Sequence, residues 1–167
     1  IVGYTQHGHG DNAIILFEQM KHEGLSPNPV TLLCVLKACA STRALNKGKD
    51  IHREMLADGI FLVRNLFIGN ALVDMYSKCD EPTIALKLLK ENSVWDVSAW
   101  NALIEGYAEH GKCRQALNCL QQMQDGGLSP TVLSFICVLK ACGSTGAIDE
   151  GKQIHEICMS RGLLEKD

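Results

Sequence analysis

Apolar residues recur three and four positions apart along most of the chain, and no stretch alternates apolar and polar as a half-buried strand would. From Ser98 to His110, Trp100, Leu103, Ile104 and Tyr107 form one helical stripe, which Gly111 ends. A second stripe follows in Ala116, Leu117, Leu120 and Met123, and Gly126-Gly127 with Pro130 stops it. The pattern predicts two short helices folding back on each other across a brief turn. Pro29 and Pro82 stand where other helices should start, since a first turn does not use the N–H that proline lacks.

The pattern repeats. Slid by 103 residues, positions 1 to 64 align without a gap on 104 to 167, and 26 of the 64 are identical. Cys34-Val35-Leu36-Lys37-Ala38-Cys39 returns as Cys137-Val138-Leu139-Lys140-Ala141-Cys142, and Gly24-Leu25-Ser26-Pro27 as Gly127-Leu128-Ser129-Pro130. A shorter register lies inside, because Asn70-Ala71-Leu72-Val73 matches Asn101-Ala102-Leu103-Ile104, 31 residues on. The chain divides into an incomplete unit at 1–28 and units at 29–65, 66–96, 97–131 and 132–167. A single helix pair of this size cannot bury its apolar face alone, so neighbouring pairs must stack. The expected fold class is all-α, a right-handed α-solenoid of helix-turn-helix repeats.

Composition narrows the chemistry. Sixteen Lys and Arg against nineteen Asp and Glu give a net charge of −3, so no global positive field advertises a polyanion partner. The longest apolar runs, such as 13–17 and 32–36, are far too short to span a bilayer, and a soluble chain is expected. None of the eight cysteines forms a C-x-x-C pair, and Cys34, Cys39, Cys137 and Cys142 sit within apolar helical pattern, which points to reduced, buried thiols. Trp95, Trp100, Tyr4, Tyr76 and Tyr107 read as interhelix core.

No catalytic constellation emerges, and neither an enzyme nor a bound cofactor is expected. His52-Arg53-Glu54 fits the H-x-E half of a zinc deaminase signature, but the P-C-x-x-C half is missing. His7-Gly8-His9-Gly10 reads as a turn between helices, without the cysteines or carboxylates that would complete a metal site. His52 and His155 read as structural or surface positions. Lys37 and Lys140 recur at one repeat position, either facing solvent or meeting phosphate.

The repeats resemble those of the plant-type pentatricopeptide-repeat family, in which standard, long and short variants alternate. Units 29–65 and 132–167 look like the long variant, with Leu36-Lys37-Ala38-Cys39 and Gly48-Lys49-Asp50-Ile51-His52 in the first of them. Unit 66–96, with Asn70-Ala71-Leu72-Val73-Asp74-Met75-Tyr76, looks like the short variant, and 97–131, with Trp100-Asn101-Ala102-Leu103-Ile104, like the standard one. The resemblance implies a surface that holds single-stranded RNA and reads one base per repeat. It assigns base reading to the fifth and last residues of a unit, and base sandwiching to an apolar second residue.

Carried over, this gives Asn70, Asp96 and Phe67 in the short unit, and Asn101, Thr131 and Ser98 in the standard unit. Asn28 becomes the last-position reader of the first unit, whose fifth position precedes Ile1. The resemblance further implies that an Asn–Asp pair favours uracil, in keeping with a carboxylate that only accepts and so suits uracil's imino donor. Thr131 and Ser98 depart from the family's usual residues. The long units present Leu33 with Asn65 and Ile136 with Asp167, so they are expected mainly to space the RNA. Taken without the resemblance, Asn70 and Asn101 serve equally well as helix caps.

The expected role is to position RNA for editing or processing by another domain or protein, in a mitochondrion or chloroplast of a land plant. An RNA-editing or processing factor is the expected further partner. The competing reading is a helical scaffold for a protein or peptide. The chain is expected to be an excerpt of a longer protein, since Ile104, the match of Ile1, lies mid-helix.

Overall fold

The computed structural model describes residues 1–59, 66–91 and 96–160, and every regular element among them is an α-helix. They run α1 (Val2–Gln6), α2 (Gly10–His22), α3 (Pro29–Thr42), α4 (Leu45–Ala57), α5 (Leu66–Lys78), α6 (Pro82–Glu91), α7 (Val97–Glu109), α8 (Cys113–Asp125), α9 (Val132–Thr145) and α10 (Ile148–Ser160). The helix expected over Ser98–His110 is α7, displaced by one residue at each end. Pro29 and Pro82 open α3 and α6 as their chemistry requires.

The helices gather into two compact units, Ile1–Val94 and Trp95–Asp167. In the first, α3 packs on α1, α2, α4 and α5, and α5 also packs on α4 and α6. In the second, α7 packs on α8 and α9, and α9 on α8 and α10. Turns of two or three residues separate α1 from α2, α3 from α4, α5 from α6, α7 from α8 and α9 from α10, so consecutive helices form hairpins.

From α3 onward, burial separates the two helices of each hairpin. In α3, Leu32, Cys34, Val35, Leu36, Ala38, Cys39 and Ala40 are all buried, a set too wide for one stripe. In α8 the buried set is Cys113, Ala116, Cys119, Leu120 and Met123, one face at helical spacing. First helices therefore have neighbours on more than one side, and second helices shield them from water.

Trp100, Tyr76 and Tyr107 are core residues as expected. Tyr4 is not: 43% of it is exposed, and its ring stands edge-on to His9. It lies on a five-residue helix in which no residue is buried, so nothing there covers an aromatic ring. Trp95 lies outside the described residues. His52 is a structural residue, half-buried with Nδ1 2.8 Å from the Tyr76 hydroxyl. Burial lowers its pKa and raises that of Tyr76 to about 12. His155 is exposed on α10.

All eight cysteines are buried free thiols. Burial, helped by the nearby Cys79 thiol, pushes Cys39 up to about 12. Burial and the hydrogen-bonded Cys113 thiol do the same to Cys142. At neutral pH these groups are protonated and pack as small hydrophobes.

Two glycines set how closely helices approach. A Cβ on Gly10 would lie 2.6 Å from the Thr42 methyl, 2.8 Å from the Ser41 hydroxyl and 3.2 Å from the Ala38 carbonyl oxygen. A Cβ on Gly48 would meet only the thioether of Met75, whose side chain can swing aside. Alanine normally favours a helix over glycine by about 1 kcal/mol. At Gly10 the clash with two short side chains, beside a tight backbone carbonyl, should reverse that sign, and Gly10→Ala is expected to destabilise by about 1–3 kcal/mol. Urea denaturation should show a larger loss for Gly10→Ala than for Gly48→Ala; equal effects would mean that α2 and α3 do not need the close approach.

Candidate nucleic-acid interface

The residues expected to read a base fall at fixed places relative to the first helix of each hairpin. Asn70 is the fifth residue of α5 and Asn101 the fifth of α7. Asp96 and Thr131 are the residues immediately before α7 and α9, and Asn28 immediately precedes α3. Phe67 is the second residue of α5, with 74% of its surface exposed.

The alternative reading of Asn70 and Asn101 as helix caps is corrected by these positions. Both lie a full turn inside their helices, where the backbone N–H groups already have partners along the helix. The caps are the last-position residues instead. Asn28 accepts at Oδ1 from the Thr31 N–H, at 2.9 Å. Asp96 accepts at Oδ1 from the N–H groups of Ser98 and Ala99, at 3.0 and 3.2 Å. Thr131 accepts at Oγ1 from the Ser134 N–H, at 3.4 Å, while the Thr131 N–H donates to Ser134 Oγ at 3.0 Å, which completes a reciprocal capping box. The negative charge of Asp96 also suits the positive end of the α7 dipole.

The fifth and last positions meet in the second unit. Asn101 Nδ2 donates to Thr131 Oγ1 at 3.3 Å, and Ser134 Oγ donates to Asn101 Oδ1 at 2.5 Å. Asn101 is 8% exposed and Ser134 wholly buried, whereas Thr131 is exposed, so the cluster reaches solvent mainly through the threonine. Asn70 and Asp96 belong to different compact units. Asn65 and Asp167, expected last-position residues, lie outside the described residues. Leu33 and Ile136, the fifth residues of α3 and α9, are half-buried and 54% exposed, and neither offers a hydrogen-bonding side chain.

Two features went unread in the sequence. Val30 and Leu133, the second residues of α3 and α9, are exposed at 55% and 53%, as Phe67 is in α5. Large apolar side chains standing in solvent at one recurrent helix position suit flat faces such as bases. The second residue of α7 is the exposed Ser98. The other feature is Ser134; its spacing of three from Thr131 was the available signal, but the sequence reading did not identify it as a box. Lys37 and Lys140 are exposed.

The capping role makes a separable prediction. Asp96→Ala removes the acceptor at the start of α7 and should cost about 1 kcal/mol, whereas Asn caps as well as Asp, so Asp96→Asn should leave stability close to wild type. Thermal or urea unfolding of the three proteins checks this. Equal stability of Asp96→Ala and wild type would remove the cap from the account.

Comparison with known proteins supplies the context. A model of the PPR repeat family matches residues 1–41 and 96–144, and a single PPR repeat model matches 70–91. A pentatricopeptide repeat-containing protein of Arabidopsis thaliana is 38% identical over 96% of this chain and 20% of its own length. The chloroplastic pentatricopeptide repeat-containing protein CRR2 of the same plant is 37% identical over 93% of this chain and 24% of its own. The chain thus spans about a fifth of the length of these curated relatives. Among solved structures, PPR10 in complex with an 18-nt psaJ RNA element superposes with a TM-score of 0.85, at 22% identity, over 99% of this chain and 25% of that one. The PPR domain of A. thaliana protein-only RNase P 1 in complex with tRNA gives 0.71 at 17% identity, over 98% of this chain and 86% of that one. With the repeat models lying on the hairpins that carry Asn70, Asn101 and Thr131, the chain belongs to the PPR repeat family, in its plant type.

Proposed function

We propose that this chain is a sequence-selective single-stranded RNA-binding module that reads one base per repeat, with repeats at 29–65, 66–96, 97–131 and 132–167. It positions an organellar RNA, in a mitochondrion or chloroplast, for editing or processing by another domain or protein, and does no chemistry of its own. The observation that carries the reading is the direct hydrogen bond between Asn101 and Thr131, the fifth and last residues of one repeat. Polar reading residues gathered at helix starts, beside helix positions that expose Val30, Phe67 and Leu133, suit a ligand with both hydrogen-bonding edges and flat apolar faces. The RNA-bound PPR10 and RNase P structures, which share the fold, support the same ligand class.

In this reading Asn70, Asp96 and Phe67 serve one base, Asn101 and Thr131 the next, and Asn28 an earlier one. The Asn70–Asp96 repeat favours uracil, because a carboxylate accepts from the imino N–H that uracil has and cytosine lacks. Asp96→Asn supplies a donor and keeps the cap, so this repeat should relax towards cytosine with the fold intact. The expected change in uracil-to-cytosine discrimination is roughly 1–3 kcal/mol, by analogy with direct readout in DNA complexes. Binding of RNAs differing only at the base that faces this repeat measures it. An unchanged ratio in Asp96→Asn, together with unchanged RNA affinity in Asn101→Ala, would reject the reading line and favour a scaffold for a protein or peptide. Tight, sequence-indifferent binding that disappears in moderate salt would reveal a purely electrostatic mode instead.

A further inference from the structure

Ser134, the third residue of α9, belongs to neither reading position, yet it is wholly buried and bonds to both readers of the preceding repeat. Its oxygen accepts the Thr131 N–H at 3.0 Å, and its single proton points to Asn101 Oδ1 at 2.5 Å. That length fits O–H···O and is too short for an N–H donor, so the Asn101 amide is oriented with its carbonyl towards Ser134. The amide nitrogen then faces Thr131, 3.3 Å away.

Counting protons and lone pairs gives the consequence. The Asn101 carbonyl is engaged by the serine hydroxyl, and Thr131 Oγ1 already accepts from Asn101 Nδ2 and from the Ser134 N–H. Apart from the second lone pair of the Asn101 carbonyl, whose oxygen is held against the wholly buried Ser134, what the pair has left to offer is a second amide N–H from Asn101 and the hydroxyl proton of Thr131, which is either turned outward or shared with Ser134 Oγ at 3.2 Å. Both are donors. We infer that Ser134 is a specificity-determining positioning residue, which locks Asn101 as a donor so that the repeat 97–131 selects a base edge presenting acceptors. Among pyrimidines this favours cytosine, whose O2 and N3 are adjacent acceptors, over uracil, whose N3–H would face a donor.

The inference rests on the proposal that Asn101 and Thr131 read a base, and its test separates the two. The full chain and its variants are incubated with a pool of short RNAs of random sequence, and the bound fraction is sequenced. Wild type should enrich cytosine over uracil at one position. Ser134→Ala frees the Asn101 carbonyl, lets the amide turn over, and should lower that cytosine-to-uracil ratio by about fivefold or more, with other positions unchanged. Ser134→Thr, which restores the hydroxyl in the manner of the matching Thr31, should restore the ratio. A purely structural serine would instead weaken all sequences alike.

If circular dichroism shows Ser134→Ala unfolded, Ser134→Cys, close in size and a weak donor, takes its place with the same expected loss. A ratio unchanged in the folded serine variant, while Asn101→Ala abolishes it, overturns the inference and leaves base reading standing. A ratio unchanged in Asn101→Ala as well, or no RNA retained by wild type, overturns both.

Discussion

The structure depends on an apolar surface that one helix hairpin cannot cover. Residues such as Leu36, Leu72 and Leu103 are fully buried on first helices whose apolar positions extend beyond a single stripe. The partner helix of the same hairpin covers only one side, and the first helix of an adjacent hairpin covers another, α5 beside α3 in the first unit and α9 beside α7 in the second. In the second unit this brings the N-terminal ends of α7 and α9 together, where Asn101 meets Thr131 and Ser134. The arrangement of these polar residues follows from the packing of Leu, Val and Ile some residues further along.

On the proposed reading, that geometry couples recognition to stability at the last position of a repeat. Asn28, Asp96 and Thr131 each sit at a helix N-cap and accept from backbone N–H groups of the helix that follows. N-caps are drawn from Asn, Asp, Ser and Thr because only short polar side chains reach those amides. A last-position reader therefore comes from a small set, and each member offers a base a different balance of donor and acceptor. The fifth position carries no capping duty and is free to be Asn, as at 70 and 101, or apolar, as at Leu33 and Ile136.

Much of this was legible in the sequence because it depends on period. The three-and-four spacing placed α7 within a residue, Gly and Pro marked the turns, and the apolar setting of Cys39 and Cys142 indicated buried thiols. What period alone does not give is the neighbour. Tyr4 read as core because an aromatic ring in a helical stripe usually buries, but burial needs a facing element, and α1 leaves that ring open. Asn70 and Asn101 were equally plausible as caps, because a cap is defined by the first helical φ and ψ, and a displacement of a few residues changes which side chain holds that place. The role of Ser134 required knowing that α9 starts against the first turn of α7, a contact between residues 33 positions apart.

Charge argues in the same direction as the hydrogen bonds. Several of the basic side chains are engaged within the first unit: Lys21 with Glu54 at 2.5 Å and Lys47 with Glu18 link α2 to α4, and Lys49 reaches Glu81 at 2.8 Å just before α6. Such partly exposed pairs add little stability each, but they hold cations against carboxylates of the protein itself. With a net charge of −3 besides, the chain carries no global positive field to draw a polyanion. On the proposed reading, affinity for RNA comes from stacking on side chains such as Phe67 and from base-edge hydrogen bonds, both of which act only when an unpaired base is presented. On that reading a chain of this composition gains little from an arbitrary polyanion, and the weakness of its electrostatics is what would let a single amide, held in one orientation by a buried serine, decide which base is accepted.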